Sequence, residues 1–259
     1  MIHPKMRESV VLNKLRAGKS AYSLHTNFSC VRSVEMLCYS GVDCMWLCNE
    51  HVPNDYSEME KQVLGAMVHN VDAMIRVPRG SYSDMIKPLE MNAAGVLVPH
   101  VMSAEEARMI ARTLRFQPEG RRPVDGGNRD GDYCFTDFVE YTRFVNRNRF
   151  IFIQIEDKEA VDVLDEICDV PGIDGIFFGP GDYSHSIGHP GQPNHPEVCR
   201  VRELVAKTAI AHGKFAGTVG TVKNFRELED MGYRFINLGG DVAALIQYAN
   251  TIAEAIGSR

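Results

Sequence analysis

The sequence predicts an α/β fold of the (β/α)8 barrel type. Eight short apolar segments, each suited to a buried strand, alternate with amphipathic segments along the whole chain. The length of 259 residues is close to the roughly 250 residues typical of such a barrel. A doubly wound open sheet is the alternative, but no Gly-x-Gly-x-x-Gly sequence follows the first predicted strand. We therefore expect a single barrel domain over residues 1–259.

Each predicted strand is followed by a predicted helix, which gives eight strand–helix units. The strands are expected at residues 20–24, 44–48, 73–77, 95–101, 149–155, 175–178, 215–219 and 235–238. The helices are expected at residues 31–39, 57–69, 82–91, 103–116, 136–145, 158–168, 196–212, 222–231 and 242–256. Ser103 followed by Glu105 and Glu106 is a helix start with acids in the first turn. Residues 117–132 are rich in Gly, Pro, Arg and Asp, and a loop of this length is usually functional.

Composition argues against several classes of protein. The net charge of −6 offers no basic surface for nucleic acid. No apolar segment approaches the roughly 20 residues that span a bilayer, and residues 1–8 lack the apolar core of a signal peptide. The seven cysteines form no Cys-x-x-Cys pair, so we expect free thiols in a reducing cytoplasm rather than a zinc site.

Two acidic residues, Glu156 and Asp182, follow the fifth and sixth predicted strands. Active sites of barrels lie at the carboxyl ends of the strands. Neighbouring strands are about 4.8 Å apart, so both carboxylates can reach one ion. Oxygen ligands suit a hard divalent cation such as Mg²⁺ or Mn²⁺. Alternatively, Glu156 caps the next helix and Asp182 caps a turn.

Two basic residues also lie at predicted strand ends. His51 follows the second strand and titrates near neutral pH, which suits a general base. Arg76 ends the third strand and can bind a carboxylate or an enolate oxygen. The alternatives are a solvated histidine and an ion pair between Arg76 and a neighbouring acid. The spacing of His185, His189 and His195 matches no metal motif, so we interpret them as loop residues.

Several segments together resemble the HpcH/HpaI aldolase family. They are Asn-Glu-His-Val-Pro-Asn-Asp at 49–55, Gly-Val-Leu-Val-Pro at 95–99, Ser-Ala-Glu-Glu-Ala at 103–107, Gln-Ile-Glu at 154–156, Gly-Pro-Gly-Asp at 179–182 and the loop at 186–198. They occur in the family's order over nearly the whole chain. The resemblance implies a metal-dependent, class II-type aldolase with a phosphoenolpyruvate/pyruvate-type barrel, acting on pyruvate or a related 2-oxo acid.

The resemblance also implies residue roles on the 2-oxo acid side of the site. Glu156 and Asp182 match the family's two metal ligands, for Mg²⁺ or Mn²⁺ with Co²⁺ possible. Gln154 lies beside the bound 2-oxo acid. The backbone from Gly179 through Pro180 and Gly181 to Asp182 holds the substrate carboxylate.

Further roles concern proton transfer and assembly. His51 matches a histidine that assists proton transfer through a water, and Arg76 matches an arginine that steadies the keto or enolate oxygen. Glu90 stands where the family usually has an aspartate that pairs with the histidine. The family is hexameric with exchanged last helices, so a trimer or hexamer with residues 242–256 packed on a neighbour is implied.

The chain departs from the family pattern near the base. Cys48 replaces a common aspartate, Glu90 is one methylene longer than aspartate, and residues 120–131 differ from the usual loop. The leading hypothesis is reversible cleavage of a 4-hydroxy-2-oxo acid to pyruvate and an aldehyde. The rivals are oxaloacetate decarboxylation, or other enolate chemistry, at the same site and a non-catalytic protein that binds 2-oxo acids.

Overall fold

The computed structural model describes residues 5–257 and contains a closed barrel of eight parallel strands. Each strand pairs with the next along the chain, and the eighth pairs with the first. The strands are β1 (Ala21–Thr26), β2 (Cys44–Cys48), β3 (Asp72–Arg76), β4 (Gly95–Val98), β5 (Phe150–Ile155), β6 (Gly175–Phe178), β7 (Phe215–Val219) and β8 (Phe235–Gly240). The predicted (β/α)8 barrel is confirmed. Residues 1–4 and 258–259 of the predicted domain lie outside the described residues, as does half of the segment 1–8 discussed above.

Twelve α-helices are found between residues 5 and 257. They are α1 (Val10–Arg16), α2 (Val31–Cys38), α3 (Tyr56–Val68), α4 (Tyr82–Glu90), α5 (Ala104–Leu114), α6 (Phe138–Asn148), α7 (Lys158–Asp162), α8 (Leu164–Cys168), α9 (Pro180–Ser186), α10 (Pro196–Ala211), α11 (Phe225–Asp230) and α12 (Asp241–Ala255). The predicted start of α5 is confirmed, because the Ser103 hydroxyl accepts the backbone N–H of Glu106. No helix in this part of the chain is long and apolar enough to cross a membrane.

The main differences between the structure and the predicted elements are the following. Helix α1 precedes the barrel and was not predicted. The helix predicted at 158–168 is divided into α7 and α8, because Val163 adopts φ −123° and ψ 24°. Helix α9 follows β6 directly where a loop was expected. Strand β4 ends at Val98, because Pro99 has no N–H for the ladder and His100 takes a positive φ of 51°.

The barrel interior is filled by side chains that alternate along the strands. An inner cluster of buried residues includes Trp46, Phe150, Phe152, Phe177 and Phe235. Glycines make room for these rings, since a Cβ at position 175 would lie 2.2 Å from the ring of Phe152. The Trp46 and Phe177 rings meet edge to face with centroids 5.3 Å apart. This filled interior is a packed core and not a pore, and the active sites of such barrels lie at the carboxyl ends of the strands.

The long loop between α5 and α6 lies at the opposite, amino end of the barrel. It is anchored by the buried Arg122, which donates from Nη2 to Asp130 at 2.6 Å and to Glu90 at 2.7 Å. The Tyr141 hydroxyl donates to the same Asp130 carboxylate at 2.7 Å. A short 3-10 helix, Arg129–Cys134, belongs to this loop. Because α5 returns the chain to the amino end before the loop begins, residues 120–131 do not face the strand ends that carry Glu156 and Asp182.

The last helix is loosely attached to the barrel and carries exposed apolar side chains. These side chains are Leu245, Ile246, Tyr248, Ile252 and Ile256. On the outer barrel surface, Tyr22, Leu24 and Leu238 of the neighbouring strands β1 and β8 are only half-buried. The β8–β1 seam and one face of α12 are therefore both incompletely covered within one chain.

Substituting Asp130→Ala tests the anchor of the amino-end loop. We expect the free energy of unfolding to fall by about 3 kcal/mol, because the buried Arg122 loses one of its two carboxylate partners. Urea unfolding followed by circular dichroism measures this. Glu197→Ala, which breaks the exposed pair between Glu197 and Arg200, is the control and should change stability little. Equal losses in the two variants would contradict the anchoring role.

Candidate active site

Ionisable side chains from several strands meet at the carboxyl end of the barrel. Arg76 is the last residue of β3, Glu156 directly follows β5, and Asp182 lies in the first turn of α9 after β6. Glu50 and His51 follow β2. The predicted strand-end positions of these residues are confirmed, because the parallel register brings all strand ends to one rim. Their chemical roles remain predictions.

Glu156 is a buried carboxylate whose surroundings disfavour its ionised form. Its residue is only 1% exposed. One carboxylate oxygen accepts the backbone N–H of His100 at 3.0 Å, and the other accepts the side-chain amide of Gln154. Burial raises the pKa of Glu156 to about 7, and the charge of Asp182 also raises it, while His100 acts in the opposite direction. A positive charge nearby would therefore stabilise the ionised form.

The two carboxylates of Glu156 and Asp182 are suited to bind a divalent cation. The charge of Asp182 lies close enough to raise the pKa of Glu156, and a hard cation between the two carboxylates would remove that repulsion. Within residues 5–257, no group of three or more His, Cys, Asp or Glu side chains is placed to hold a metal ion. The chain would therefore supply these two carboxylates, and water and substrate oxygens would complete the coordination.

Arg76 is held by three neighbours at the carboxyl end of the barrel, the opening that we call the mouth. Its Nε lies 3.0 Å from Glu50, and its Nη2 donates to the Cys48 sulfur at 3.2 Å. The guanidinium also lies over the Trp46 ring, 5.0 Å from the centroid. The ion pair weighed as an alternative for Arg76 is thus formed, with Glu50. Among the described residues no hydrogen bond uses Nη1, so one nitrogen remains for a substrate oxygen.

His51 lies at the outer rim rather than in the depth of the mouth. Its side chain is 60% exposed, and its Nε2 is 3.6 Å from Glu50. Its backbone N–H donates to the Cys48 sulfur at 3.4 Å. This exposure suits proton transfer through a water better than direct contact with a buried atom.

Within one chain, the structure places Glu90 away from His51. It is the last residue of α4, which carries the chain back to the amino end of the barrel. There it accepts hydrogen bonds from Arg122 at 2.7 Å and from Asn128 at 2.6 Å. Within one chain, Glu90 and His51 lie at opposite ends of the strands. The role of Glu90 beside the histidine, which the resemblance implies, is not formed within one chain and stays a prediction.

Gln154 and the segment from Gly179 to Gly181 lie beside Glu156. Gln154 is buried, its amide donates to Glu156, and its Oε1 has no partner in the described part of the chain. A Cβ at Gly179 would lie 2.5 Å from the Glu156 carboxylate, so that position needs glycine. Pro180 begins α9, and no atom lies near the Cβ that Gly181 lacks, which leaves open space there. These residues line one side of the mouth around Glu156.

Two residues at the mouth were given no role by the sequence. His100 donates its backbone N–H to Glu156, and its Nδ1 lies 2.9 Å from Asp157. Burial lowers the pKa of His100, but the carboxylates of Asp157, Glu156 and Glu50 outweigh it and raise the pKa above its usual value. The other is His25, near the end of β1. The predicted first strand ended at residue 24, two residues before the end of β1 at Thr26, so the sequence did not place His25 on the strand.

The chain matches known proteins along nearly its full length. The model of the family described as HpcH/HpaI aldolase/citrate lyase matches residues 26–247. A 5-keto-4-deoxy-D-glucarate aldolase of Klebsiella pneumoniae is 29% identical over 255 residues, which cover 96% of this chain and 99% of that protein. A 2-keto-3-deoxy-L-rhamnonate aldolase of Shigella sonnei is 32% identical over 229 residues, with 88% and 85% covered. The crystal structure of an HpcH/HpaI aldolase from Desulfitobacterium hafniense superposes with a TM-score of 0.90 at 28% identity, covering 97% of this chain and 98% of that one.

The raised pKa of Glu156 predicts a pH-dependent release of protons on metal binding. Below the pKa of about 7 the carboxyl carries a proton that a cation must displace, and above it the carboxylate is already free. Calorimetric titration with Mn²⁺ should thus release about one proton at about pH 6 and almost none at about pH 8.5. Two buffers with different ionisation enthalpies give the proton count.

Glu156→Gln supplies the control for this measurement. An amide has no proton to lose, so any residual binding should show no proton release that depends on pH in this range. A release in the unchanged protein that is the same at both pH values would contradict the assignment of Glu156 as a ligand.

Proposed function

The chain belongs to the HpcH/HpaI aldolase/citrate lyase family, and we propose on this premise that it cleaves a 4-hydroxy-2-oxo acid to pyruvate, or a related 2-oxo acid, and an aldehyde. The predicted family and the predicted class, an aldehyde-lyase, are confirmed by the relatives. The observation that carries the proposal is the buried Glu156, with its raised pKa, beside Asp182 and across the mouth from Arg76.

We assign the 2-oxo acid to the β5–β6 side of the mouth. Glu156 and Asp182 are proposed to hold Mg²⁺ or Mn²⁺, with Co²⁺ as a further candidate. When bound, the cation would withdraw electrons from the 2-oxo acid and make its neighbouring carbon more acidic. Gln154 is proposed to orient the acid, and the backbone from Gly179 to Asp182 is proposed to receive its carboxylate.

The remaining residues act on charge and on protons. His51 is proposed to accept the proton of the C4 hydroxyl through a water, which fits its exposed position. The C3–C4 bond then breaks, the aldehyde forms, and the bonding electrons move to the C2 oxygen. Arg76 is proposed to stabilise this enolate oxygen with Nη1, while Glu50 and Cys48 hold the rest of the guanidinium. Protonation at C3 gives the 2-oxo acid, and the reverse sequence is aldol addition.

The substrate is proposed to be a short, hydroxylated acid of the sugar-acid type. The support is that the curated relatives are named as aldolases of deoxy keto sugar acids. The rival hypotheses, an oxaloacetate decarboxylase and a non-catalytic binding protein, are not favoured. The hypothesis of a non-catalytic binding protein predicted that the residues for proton transfer are lost, whereas both Arg76 and His51 lie at the mouth.

Deuterium exchange into the methyl group of pyruvate tests the 2-oxo acid side without any aldehyde. In D₂O with Mn²⁺ we expect exchange by NMR, and we expect it to stop with EDTA. Glu156→Gln should lower the exchange rate by at least about 100-fold, because a metal ligand is lost. Glu159→Gln, an exposed position on α7, is the matched control. Exchange that survives both EDTA and Glu156→Gln would overturn the proposal.

We also propose that the chain forms a homo-oligomer, a trimer or hexamer, in which α12 packs on a neighbouring copy. The support is the exposed apolar face of α12 together with the half-buried side chains at the β8–β1 seam. A reducing, cytoplasmic location is proposed as well, and all seven cysteines are free thiols.

Light scattering after gel filtration tests the assembly. We expect the unchanged chain to elute as an oligomer, and we expect Leu245→Asp to shift the population toward smaller species, since a charge would be buried in the contact. Gln247→Asp adds the same charge to the same helix at an exposed polar position and should leave the mass unchanged. A monomeric unchanged chain would contradict the proposal.

A further inference from the structure

Gln62 is a fully buried amide on the core side of helix α3. It shares the buried face of this helix with Met59 and Val63, which belong to the main apolar core. Its Oε1 is shielded from solvent and has no hydrogen-bond partner within residues 5–257. An unsatisfied buried acceptor is destabilising, and an apolar side chain of similar size would avoid that loss. The contacts of the other amide atom, Nε2, indicate what the side chain does.

Gln62 is joined through Asn54 to the end of strand β2. The Gln62 Nε2 donates to Oδ1 of Asn54 at 3.1 Å and to the backbone carbonyl of Glu58 at 3.4 Å. The Asn54 Nδ2 donates in turn to the backbone carbonyl of Cys48, the last residue of β2, at 3.1 Å. We call Asn54 and Gln62 the amide pair. It ties α3 to the end of β2 and closes residues 49–53 into a short loop.

The closed loop carries two ionisable side chains of the mouth, Glu50 and His51. The Glu50 carboxylate lies 3.0 Å from Nε of Arg76 and 3.6 Å from Nε2 of His51. Its other oxygen lies 3.8 Å from Nε2 of His100. The positions of Arg76 and His51 relative to one another therefore depend on Glu50, and the position of Glu50 depends on how the loop is closed.

The backbone of this loop has little support of its own. The N–H of Asn49 donates to the carbonyl of Arg76 at 2.9 Å, which fixes the end of the loop next to β2. Within residues 5–257, the backbone N–H groups of residues 50–53 form a single hydrogen bond, from His51 to the Cys48 sulfur at 3.4 Å. Sulfur is a weak acceptor. The amide pair is therefore the hydrogen-bonded link that fixes the far end of the loop.

We propose that Asn54 and Gln62 are positioning residues that hold Glu50 and His51 in place for proton transfer. Both act through the loop and not on the substrate. Gln62 lowers the stability of the fold and raises the rate of the reaction, so the two effects can be measured separately. This inference rests on the proposed aldol reaction and adds to it the residues behind the mouth that set its geometry.

Gln62→Met tests the proposal, because methionine keeps the length of the side chain and lacks the amide. In the addition of pyruvate to glycolaldehyde with Mn²⁺, we expect kcat to fall by about 10- to 100-fold, since a small misplacement of a reacting group slows a reaction strongly. The KM for pyruvate should stay within about threefold, because Glu156 and Asp182 lie on other strands. The urea midpoint of unfolding should be equal or higher, because an unsatisfied acceptor is removed. Lys61→Met, at the exposed neighbouring position of α3, is the control and should change none of the three quantities.

Asn54→Ala and the double variant show whether the two amides act together. Asn54→Ala removes the bond to the Cys48 carbonyl, and we expect kcat to fall to a similar extent. The double variant should lose no more than the weaker of the two single variants, because the same link is broken in all three. Losses that multiply in the double variant would mean that the residues act separately, and they would overturn the proposal.

An unchanged kcat in Gln62→Met would also contradict it. So would a fall in kcat together with a lower urea midpoint, or a variant that does not fold, because Gln62 would then act only by stabilising the fold. Deuterium exchange into pyruvate by the unchanged chain separates these results from a failure of the proposed function. Exchange without addition to glycolaldehyde would overturn the positioning role alone. No exchange would refute the proposed reaction, and the role of the amide pair would fall with it.

Discussion

The arrangement of the mouth depends on a carboxylate that is buried where a strand ends. Removing a charge from water is unfavourable unless partners compensate it. For Glu156 the chain supplies a backbone N–H from His100 and an amide from Gln154, and among residues 5–257 the only ionic partner within 4 Å is the His100 side chain. The raised pKa shows that this compensation is incomplete. A site with excess negative charge and open space beside it is suited to bind a cation.

The positions of the surrounding residues follow from this carboxylate. His100 donates its N–H to Glu156 from a backbone with a positive φ of 51°, a conformation unfavourable for a residue with a side chain. Gly179 has no side chain because a Cβ would collide with the carboxylate. A line of ionic contacts continues from His100 through Glu50, 3.8 Å away, to Arg76. The two basic groups and the buried acid are thus parts of one electrostatic network.

The sequence predicted the strands well, because eight apolar segments of strand length leave few other arrangements. It predicted strand-end residues such as Glu156 for the same reason. It did not predict α9, since Gly179-Pro180-Gly181 is typical of a turn although proline also suits the first position of a helix. It could not predict the surroundings of Glu90 or His100, because these depend on helix direction and on one unusual φ angle. His25 was missed through an error of two residues at the end of β1, which hid a side chain that faces the interior.

The two sides of the mouth differ in how many contacts their side chains make within the chain. On the β5–β6 side, Glu156, Gln154 and Gly179 touch one another, so a change in any one disturbs the others. On the β1–β2 side, the His25 side chain makes no hydrogen bond within residues 5–257, and its ring contacts the Trp46 ring. A residue with few partners can be replaced without disturbing the metal side. In this fold, a residue on β1 can therefore change without displacing the contacts around Glu156 on the β5–β6 side.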